Sequence, residues 1–369
     1  MEYEIEFHPV GDASKAGDAI SLRYWDGTNH QIIIVDGGTD TAGEVLVEHI
    51  RLHYGADTHI SHVINTHPDT DHACGLRAVL KNFSVGTLWL HGVWHHAEEM
   101  LPYFSDPRWT VGGLEKAIRK NYGVISELLD LAAEKNIPVY EPFQGTQIGP
   151  LTVLSPSRWS YLRLVPQFRK TPAANTNALE ADNMLLQSGG IASWIARALA
   201  GAMSWITEDW SIELLKENPV TAAENETSTV LFGRFGDARI LLTGDAGANA
   251  LSWSIQFASN QGLPIFQPTL MQVPHHGSRS NVSPSVLNEL LGPPQTEGSP
   301  ARGVAVVSAP KDDTTHPRNM VMNAFLRRGY PVNKTQGAYY RQFSAGYPRR
   351  TNEVAAQPFE WFHQVENYD

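Results

Sequence analysis

The sequence predicts an α/β fold in which two mixed β-sheets pack against each other between helices. Strand-like segments rich in β-branched residues come first, a helical stretch follows, and strand-like and helical segments then return. Short groups of histidine and aspartate directly follow several of the apolar strands. Because α/β proteins bind their ligands at the carboxyl ends of strands, this order predicts a site at one edge of the sheets.

The first elements of the chain predict a hairpin and a helix. Two β-rich runs, residues 20–25 and 31–36, are joined across Asp26-Gly27, which is a turn pair. The helix that follows, over residues 41–55, has Val45, Val47, Ile50 and Leu52 at helical spacing. Residues 60–67 then predict a strand that ends in the run THPDTDHACG, followed by a helix over 75–83 and a strand over 85–92.

The middle of the chain, residues 157–224, is rich in helix-forming residues and tryptophan. We expect a helical insertion within one domain that spans residues 1–369. This insertion either covers the site as a lid or forms an oligomer contact; alternatively it is one face of the main core. Strands return over 228–245, and the tail predicts a last hairpin over 337–346 followed by a loosely packed end.

Composition and charge narrow the class of protein. The chain has 369 residues, of which 42% are hydrophobic and 18% charged, as in a globular protein with a large core. No run of eighteen apolar residues predicts a membrane span. The N-terminus lacks an apolar signal core, and Cys74 is the single cysteine, so we expect a cytoplasmic protein without an internal disulfide.

The net charge of −11 comes from 39 acidic and 28 basic residues. Such a balance offers no general attraction for a membrane surface or for nucleic acid. The charge also counts moderately against an anionic substrate, because acids that ligate metal would be neutralised. We still expect an anionic or ester substrate, and no membrane partner. Nucleic acid stays a candidate partner that the net charge does not support, and an oligomer could form through the helical insertion.

The densest chemical motif is THPDTDHACG, which places His67, Asp69, Asp71 and His72 within six positions. Imidazole nitrogens and carboxylate oxygens are the ligands that zinc and harder divalent metals prefer. One loop with this spacing can direct two side chains to one ion and two to another. The motif therefore predicts half of a two-metal site rather than a solvated polar loop.

Two later segments offer the other half. Asp245 follows an apolar strand within the triplet Thr-Gly-Asp, although taken alone it reads as an ordinary turn residue. His275 and His276 also follow a strand and precede Gly277. Adjacent histidines do not easily face one metal, so we expect one to be a ligand and the other to support a ligand or contact the substrate.

Taken in order, HPDTDH, LLTGD and PHHGS resemble the motifs of the metallo-β-lactamase fold. Asp69 stands where that family usually has its second histidine, as in the C-terminal hydrolase domain of ComEC DNA-uptake proteins and in phosphorylcholine esterases. The segments AGDAI, IIIVDGG, NETSTVLF and VVSAPKDDTTHPRNMV are also similar. The resemblance covers most of residues 10–345, apart from about 95–140 and 157–224, and implies an αββα sandwich with helical insertions.

The resemblance also implies a role for each site residue. The first ion would be held by His67, Asp69 and Asn225, where many members have a histidine, and the second by Asp71, His72 and His276, with Asp245 bridging the two. Asp36 would support the metal loop. Asp71, Asp245 and His316 are the candidate catalytic residues, and His275, Ser278 and His91 are candidate supporting or substrate-contacting residues, with an ordinary surface position equally open for His91.

The function implied is a hydrolase with two divalent ions, zinc first, although manganese and iron also suit the ligands. A metal-bridging hydroxide would attack the substrate. Phosphodiester bonds are the favoured target, which makes the protein a phosphodiesterase or nuclease. The alternatives are a hydrolase of small esters, lactones or thioesters, and a non-catalytic metal-binding regulatory module.

Overall fold

The computed structural model describes residues 1–10, 16–184, 204–347, 350 and 356–368. Two large mixed β-sheets pack face to face, and helices cover the outer face of each. This four-layer arrangement confirms the predicted αββα sandwich. Within the described part of the chain, no helix is both long and apolar enough to cross a membrane.

The first sheet has seven strands, in the order β15-β1-β2-β3-β4-β5-β6. They are β1 (Tyr3–Phe7), β2 (Ala19–Trp25), β3 (His30–Gly37), β4 (His59–Ile64), β5 (Ser84–Trp89), β6 (Val139–Tyr140) and β15 (Tyr340–Phe343). Strands β2 and β3 form the hairpin predicted across Asp26-Gly27. Strands β3 to β6 are parallel to one another, so the segments that follow β3, β4 and β5 emerge at the same edge.

The second sheet has eight strands, in the order β16-β14-β13-β12-β11-β10-β8-β7. They are β7 (Gln147–Ile148), β8 (Leu151–Ser155), β10 (Val230–Phe235), β11 (Ala238–Leu242), β12 (Leu270–Gln272), β13 (Val304–Val307), β14 (Val332–Lys334) and β16 (Gln357–Pro358). Strands β11 to β14 are parallel. A separate antiparallel pair joins β9 (Trp205–Thr207) to β17 (Gln364–Glu366).

Twelve helices are found in the described segments. They are α1 (Asp40–His53), α2 (Thr70–Ala73), α3 (Leu76–Asn82), α4 (Ala97–Met100), α5 (Val111–Asn121), α6 (Gly123–Glu134), α7 (Arg158–Leu164), α8 (Thr176–Met184), α9 (Ala223–Glu226), α10 (Ala248–Gln261), α11 (Pro284–Leu291) and α12 (Asn319–Leu326). Helices α1, α3, α5 and α6 bury side chains in the core outside the first sheet. Helices α10, α11 and α12 do the same for the second sheet.

Helix α1 forms where the sequence predicts it, but only two of the four apolar residues at helical spacing are buried. Val47 and Ile50 are buried, whereas Val45 is 37% and Leu52 77% exposed. Leu46 takes their place in the core. The spacing of the apolar residues matches a helix. Which side of the helix is buried depends on where the sheet lies, and the local sequence does not indicate that.

The insertion and the tail also differ from expectation. Residues 157–184 contain helices, but residues 204–222 contain no helix, and Trp205–Thr207 pairs with the chain end instead. Residues 185–203 lie outside the described part, so the lid and the oligomer contact stay predictions. The tail hairpin is wrong because Tyr340–Phe343 pairs with β1. Within residues 356–368 the end is packed at Gln364–Glu366, where Val365 is fully buried.

Candidate metal centre

Asp36 fixes the loop that carries the first motif. It lies at the end of β3 with a φ of 55°. Its carboxylate accepts hydrogen bonds from the Thr66 backbone N–H at 2.8 Å, the Thr66 hydroxyl at 2.6 Å and the Asn65 amide at 3.2 Å. It also accepts from His72 Nδ1 at 2.8 Å. The predicted supporting role of Asp36 thus has a structural basis: one buried carboxylate holds both ends of the loop between β4 and α2.

These contacts set the tautomers of three imidazoles. His72 donates from Nδ1 to Asp36, and His276 donates from Nδ1 to the Ser308 carbonyl at 3.0 Å. The Thr66 hydroxyl gives its proton to Asp36, so its oxygen accepts from His67 Nδ1 at 3.0 Å. With the proton on Nδ1, each ring presents an Nε2 lone pair, which is the form in which histidine binds metals.

Asp245 lies at the centre, and its two oxygens face different histidines. Oδ1 is 3.2 Å from His72 Nε2 and 3.7 Å from His276 Nε2. Oδ2 is 3.7 Å from His67 Nε2 and 3.6 Å from His275 Nε2. A carboxylate that divides four imidazoles into two pairs has the arrangement required to bridge two cations.

The electrostatics of the centre favour positive charge. Burial opposes protonation of His72, but the carboxylates of Asp245 and Asp36 outweigh it and raise the pKa of this imidazole well above its ordinary value. Burial likewise opposes ionisation of Asp245, yet the imidazoles of His72, His275, His276 and His67 hold the pKa of its carboxyl well below the usual range. The pocket therefore stabilises a cation at its centre, whether that cation is a proton or a metal.

Buried polar atoms without hydrogen-bond partners converge here, which tests whether metal ions fit. Among the described residues they include His67 Nε2, His72 Nε2, His276 Nε2, Asp245 Oδ1 and both carboxylate oxygens of Asp18. Leaving buried polar atoms unpaired is costly, so such a cluster calls for a ligand. Ligand atoms within 4.8 Å of one another occur in the groups His67/His72/Asp245, Asp71/His72/His276, Asp18/Asp245/His276 and Asp18/Asp36/His72. The donor set fits divalent metal ions.

Asp18 is the residue that sequence reasoning missed. It precedes β2 and is 1% exposed, and burial raises the pKa of its carboxyl, with the charge of Asp245 adding to the effect. Its backbone passes so close to the metal loop that a Cβ on Gly17 would lie 2.1 Å from the Asp71 carbonyl oxygen. The only signal in the sequence was the Gly-Asp pair directly before a strand.

The histidine pair adopts an unusual backbone conformation. His275 and His276 have φ values of 47° and 54°, and Gly277 follows with a φ of 82°. This left-handed run turns both imidazoles toward Asp245, although onto opposite oxygens. The expectation that adjacent histidines do not share one metal agrees with this division, since His276 lies on the side of His72 and His275 on the side of His67.

Asn225 and His275 are both candidates for the last ligand of the predicted first ion. Asp69 Oδ2 lies 3.9 Å from His67 Nε2. Asn225 places its amide nitrogen 3.0 Å from His275 Nδ1, and its amide oxygen is buried without a hydrogen-bond partner among the described residues. His275 Nε2 lies nearer the centre, 3.6 Å from Asp245. Asn225 as a ligand stays a prediction, and the structure adds His275 beside it.

Two further predicted residues lie near the pair. His316 stacks on His275 with ring centroids 5.9 Å apart, and burial, reinforced by His275 and His276, lowers the pKa of His316 to about 4. Ser278 follows the pair and its hydroxyl accepts from the Ser280 N–H at 3.3 Å. These positions suit the predicted substrate-facing role of His316 and a loop-stabilising role of Ser278.

His91 lies elsewhere. Its ring stacks on Tyr161 at 4.3 Å and contacts Phe143 at 4.6 Å. It is 4% exposed, so the alternative of a surface histidine is wrong. Burial lowers its pKa to about 4, and the charges that act on it come from Glu141, His95 and His96 rather than from the metal centre. The structure gives no contact between His91 and the ligand groups.

Comparison with known proteins shows which family this chain resembles. A model of the metallo-beta-lactamase superfamily matches residues 24–156. Comparison with curated proteins found no match. Among solved structures, the metallo-beta-lactamase fold protein YhfI from Bacillus subtilis is 10% identical, with 93% of this chain and 100% of that chain covered and a TM-score of 0.40.

Two other solved structures have comparable values. Zn(2+)-bound PqqB from Methylobacterium extorquens is 10% identical, covering 91% of this chain and 99% of its own with a TM-score of 0.38. A new diphosphatase from the PhnP family is 9% identical, covering 93% and 98%, with a TM-score of 0.40. The match to the superfamily model and the two mixed sheets between helices together show that the chain has the metallo-β-lactamase fold.

Proposed function

We propose that the protein is a metal-dependent hydrolase that holds two divalent cations and cleaves phosphodiester bonds. The observation that carries the proposal is the convergence of buried, unpartnered nitrogen and oxygen atoms on the two sides of Asp245. A purely structural metal site is normally a closed tetrahedral one. Asp69 and His275, each a quarter or more exposed at the side chain, instead leave this centre open to a substrate.

Two divalent cations at this centre would supply a water molecule of lowered pKa and would take up charge that develops on the substrate oxygen. The chain's own contribution is to hold the donors ready. Asp36, Thr66 and the Ser308 carbonyl keep the proton of each imidazole on Nδ1, away from the ions. Asp245 and Asp71 provide negative charge, and His316, stacked on His275, donates a hydrogen bond to the product oxygen.

The mixed carboxylate and imidazole donors suit zinc, with manganese and iron as alternatives. Aspartate at position 69 supports the ComEC-like branch of the fold, and this branch is the reason for favouring phosphodiesters over neutral esters. The net charge of −11 argues against a long duplex as substrate. We therefore propose a small phosphodiester or a short single-stranded nucleic acid.

The test combines metal content with turnover. We expect about two zinc or manganese ions per chain by mass spectrometry. We also expect hydrolysis of bis-p-nitrophenyl phosphate that EDTA abolishes, with slower turnover of a lactone and a thioester. Asp71→Asn and His72→Ala should each lower kcat at least about 100-fold, since each removes a donor from the second group.

Asp57→Asn, an exposed aspartate with no contact to the centre in the described structure, is the matched control and should keep full activity and metal content. Full hydrolysis by Asp71→Asn with unchanged metal content would contradict the proposal. So would a wild-type protein that binds its metals and hydrolyses none of these substrates.

A further inference from the structure

Arg169 lies beside the metal centre without belonging to its ligand groups. Its Nη2 is 3.0 Å from Asp69 Oδ2, the same oxygen that faces His67. Its Nε donates to Glu224 Oε1 at 3.2 Å, and its backbone N–H donates to that oxygen at 2.6 Å. The guanidinium is thus attached at one edge to the buried carboxylate of Glu224 and at the other to Asp69, the predicted ligand of the first ion.

Exposure distinguishes Arg169 from a structural arginine. Its side chain is 63% exposed, whereas that of Glu224 is 2% exposed and that of Asp69 is 25%. Glu224 therefore serves as a fixed anchor inside the protein, and the guanidinium beyond it faces the opening of the site. An arginine held rigidly at its Nε edge has lost conformational freedom before any ligand binds, which lowers the cost of binding one.

Tyr122 adds a second polar group at the same place. It is 4% exposed, and its hydroxyl makes no hydrogen bond of ordinary length within the described residues. Its ring lies 6.1 Å from that of Phe168, and Lys170 Nζ lies 5.9 Å from its ring centroid, so Tyr122 packs against both chain neighbours of Arg169. The O–H donor of Tyr122 thus has no acceptor among the described residues and lies next to the segment that carries Arg169.

The contact between Arg169 and Asp69 has a consequence for substrate binding. A cation held by Asp69 would compete with Arg169 for the charge of that carboxylate. The guanidinium donors would then be released beside the reacting centre, where a phosphate oxygen is a suitable acceptor. Guanidinium groups bind phosphate through paired hydrogen bonds that an ammonium cannot reproduce.

We propose that Arg169 recognises the unesterified oxygen of a phosphate ester and that the Tyr122 hydroxyl supports it. This inference rests on the proposed hydrolase function and narrows it: the substrate carries negative charge next to the scissile bond. Neutral esters and lactones bring no such charge and gain nothing from Arg169.

The experiment compares Arg169→Ala and Arg169→Lys with the wild type, each loaded with zinc. Arg108→Ala is the matched control, because Arg108 is also an exposed arginine that pairs with a nearby carboxylate, that of Asp106. Three quantities are measured: zinc content, the Kd for inorganic phosphate by calorimetry, and kcat and KM for bis-p-nitrophenyl phosphate and for neutral p-nitrophenyl acetate.

For Arg169→Ala we expect zinc content to be unchanged and both the phosphate Kd and the KM for the diester to rise about 10- to 100-fold. The KM for the neutral ester should not change. Arg169→Lys should recover part of the phosphate affinity because it keeps the charge. Tyr122→Phe should weaken phosphate binding by a smaller factor than Arg169→Ala.

Loss of zinc in Arg169→Ala would overturn the inference, since Arg169 would then only position Asp69. An unchanged phosphate Kd with full zinc content would overturn it as well, as would an equal rise in KM for both substrates. These outcomes differ from failure of the proposed function, which would appear in the wild-type protein as absent metal or absent hydrolysis.

Discussion

Replacing Asp18 by asparagine should make the metal-free protein more stable and should weaken its affinity for metal. The Asp18 carboxylate is 1% exposed and neither oxygen has a hydrogen-bond partner in the described structure. Without a metal ion, burial raises the pKa of this carboxyl, and the charge of Asp245 adds to the effect although the imidazoles of His72 and His276 oppose it. The substitution is nearly isosteric and removes the group whose ionisation this site disfavours.

The expected magnitude follows from the burial. A buried polar group without a partner costs about 1–3 kcal/mol, and a charged one costs more. Asparagine still buries an amide, so the variant gains only the difference between the cost of burying a carboxyl and the cost of burying an amide. We expect the free energy of unfolding in EDTA to rise by about 1–3 kcal/mol. With zinc, the variant lacks one donor near His276 and Asp245 and should bind at least about tenfold more weakly, which corresponds to about 1.4 kcal/mol.

The assay is urea unfolding at pH 7, in EDTA and in excess zinc, together with zinc affinity measured against a chromophoric chelator. Asp57→Asn, which removes an exposed carboxylate, should leave both free energies within about 0.5 kcal/mol of the wild type. The reasoning that Asp18 is a metal ligand would be refuted by a variant that is less stable than the wild type in EDTA. It would also be refuted by a variant that binds zinc as tightly as the wild type does.

Two other predictions concern the fold around the site. Burial, with the charge of His49 adding, lowers the pKa of His8 to about 3, so between pH 6.5 and 3 the unfolded chain takes up a proton that the folded chain does not. The free energy of unfolding should fall by up to about 5 kcal/mol as the pH drops through that window, and in acid titrations monitored by circular dichroism His8→Gln should flatten the loss. Gly277→Ala should lower the free energy of unfolding in urea by about 2–4 kcal/mol, because a Cβ at a φ of 82° would lie 2.5 Å from Pro317. Gly112→Ala is the control: a Cβ there meets open space, so the free energy of unfolding should stay unchanged or rise by up to about 1 kcal/mol.

Part of the site could be predicted because its information is local. His67, Asp69, Asp71 and His72 lie within six positions, and the strand before them is a strong β-rich pattern. Their convergence then depends only on one loop leaving one strand. Asp245 was identified through its motif and its place in the order of motifs, since an isolated aspartate after a strand has many ordinary explanations.

The rest of the site required contacts between distant segments. Arg169 and Asp69 are 100 residues apart in the chain, and no local pattern relates them. The role of His275 depends on a left-handed backbone at both histidines, which residue type alone does not indicate. The strand Trp205–Thr207 shows the same limit in the fold: its surroundings favour a helix, but pairing with Gln364–Glu366 prevails over that preference.

Net charge illustrates how a global quantity can mislead about a local one. The value of −11 argues against an anionic substrate, yet Asp18, Asp36, Asp69, Asp71 and Asp245 all lie in the metal centre or directly support it. Two divalent cations would offset four of those negative charges. The field at the opening would then be set by the loaded centre and by the exposed guanidinium of Arg169, whose buried anchor is Glu224. In the proposed hydrolase, discrimination between anionic and neutral substrates would therefore be decided within one Debye length of Asp69, about 8–10 Å at physiological salt, and not by the charge of the whole chain.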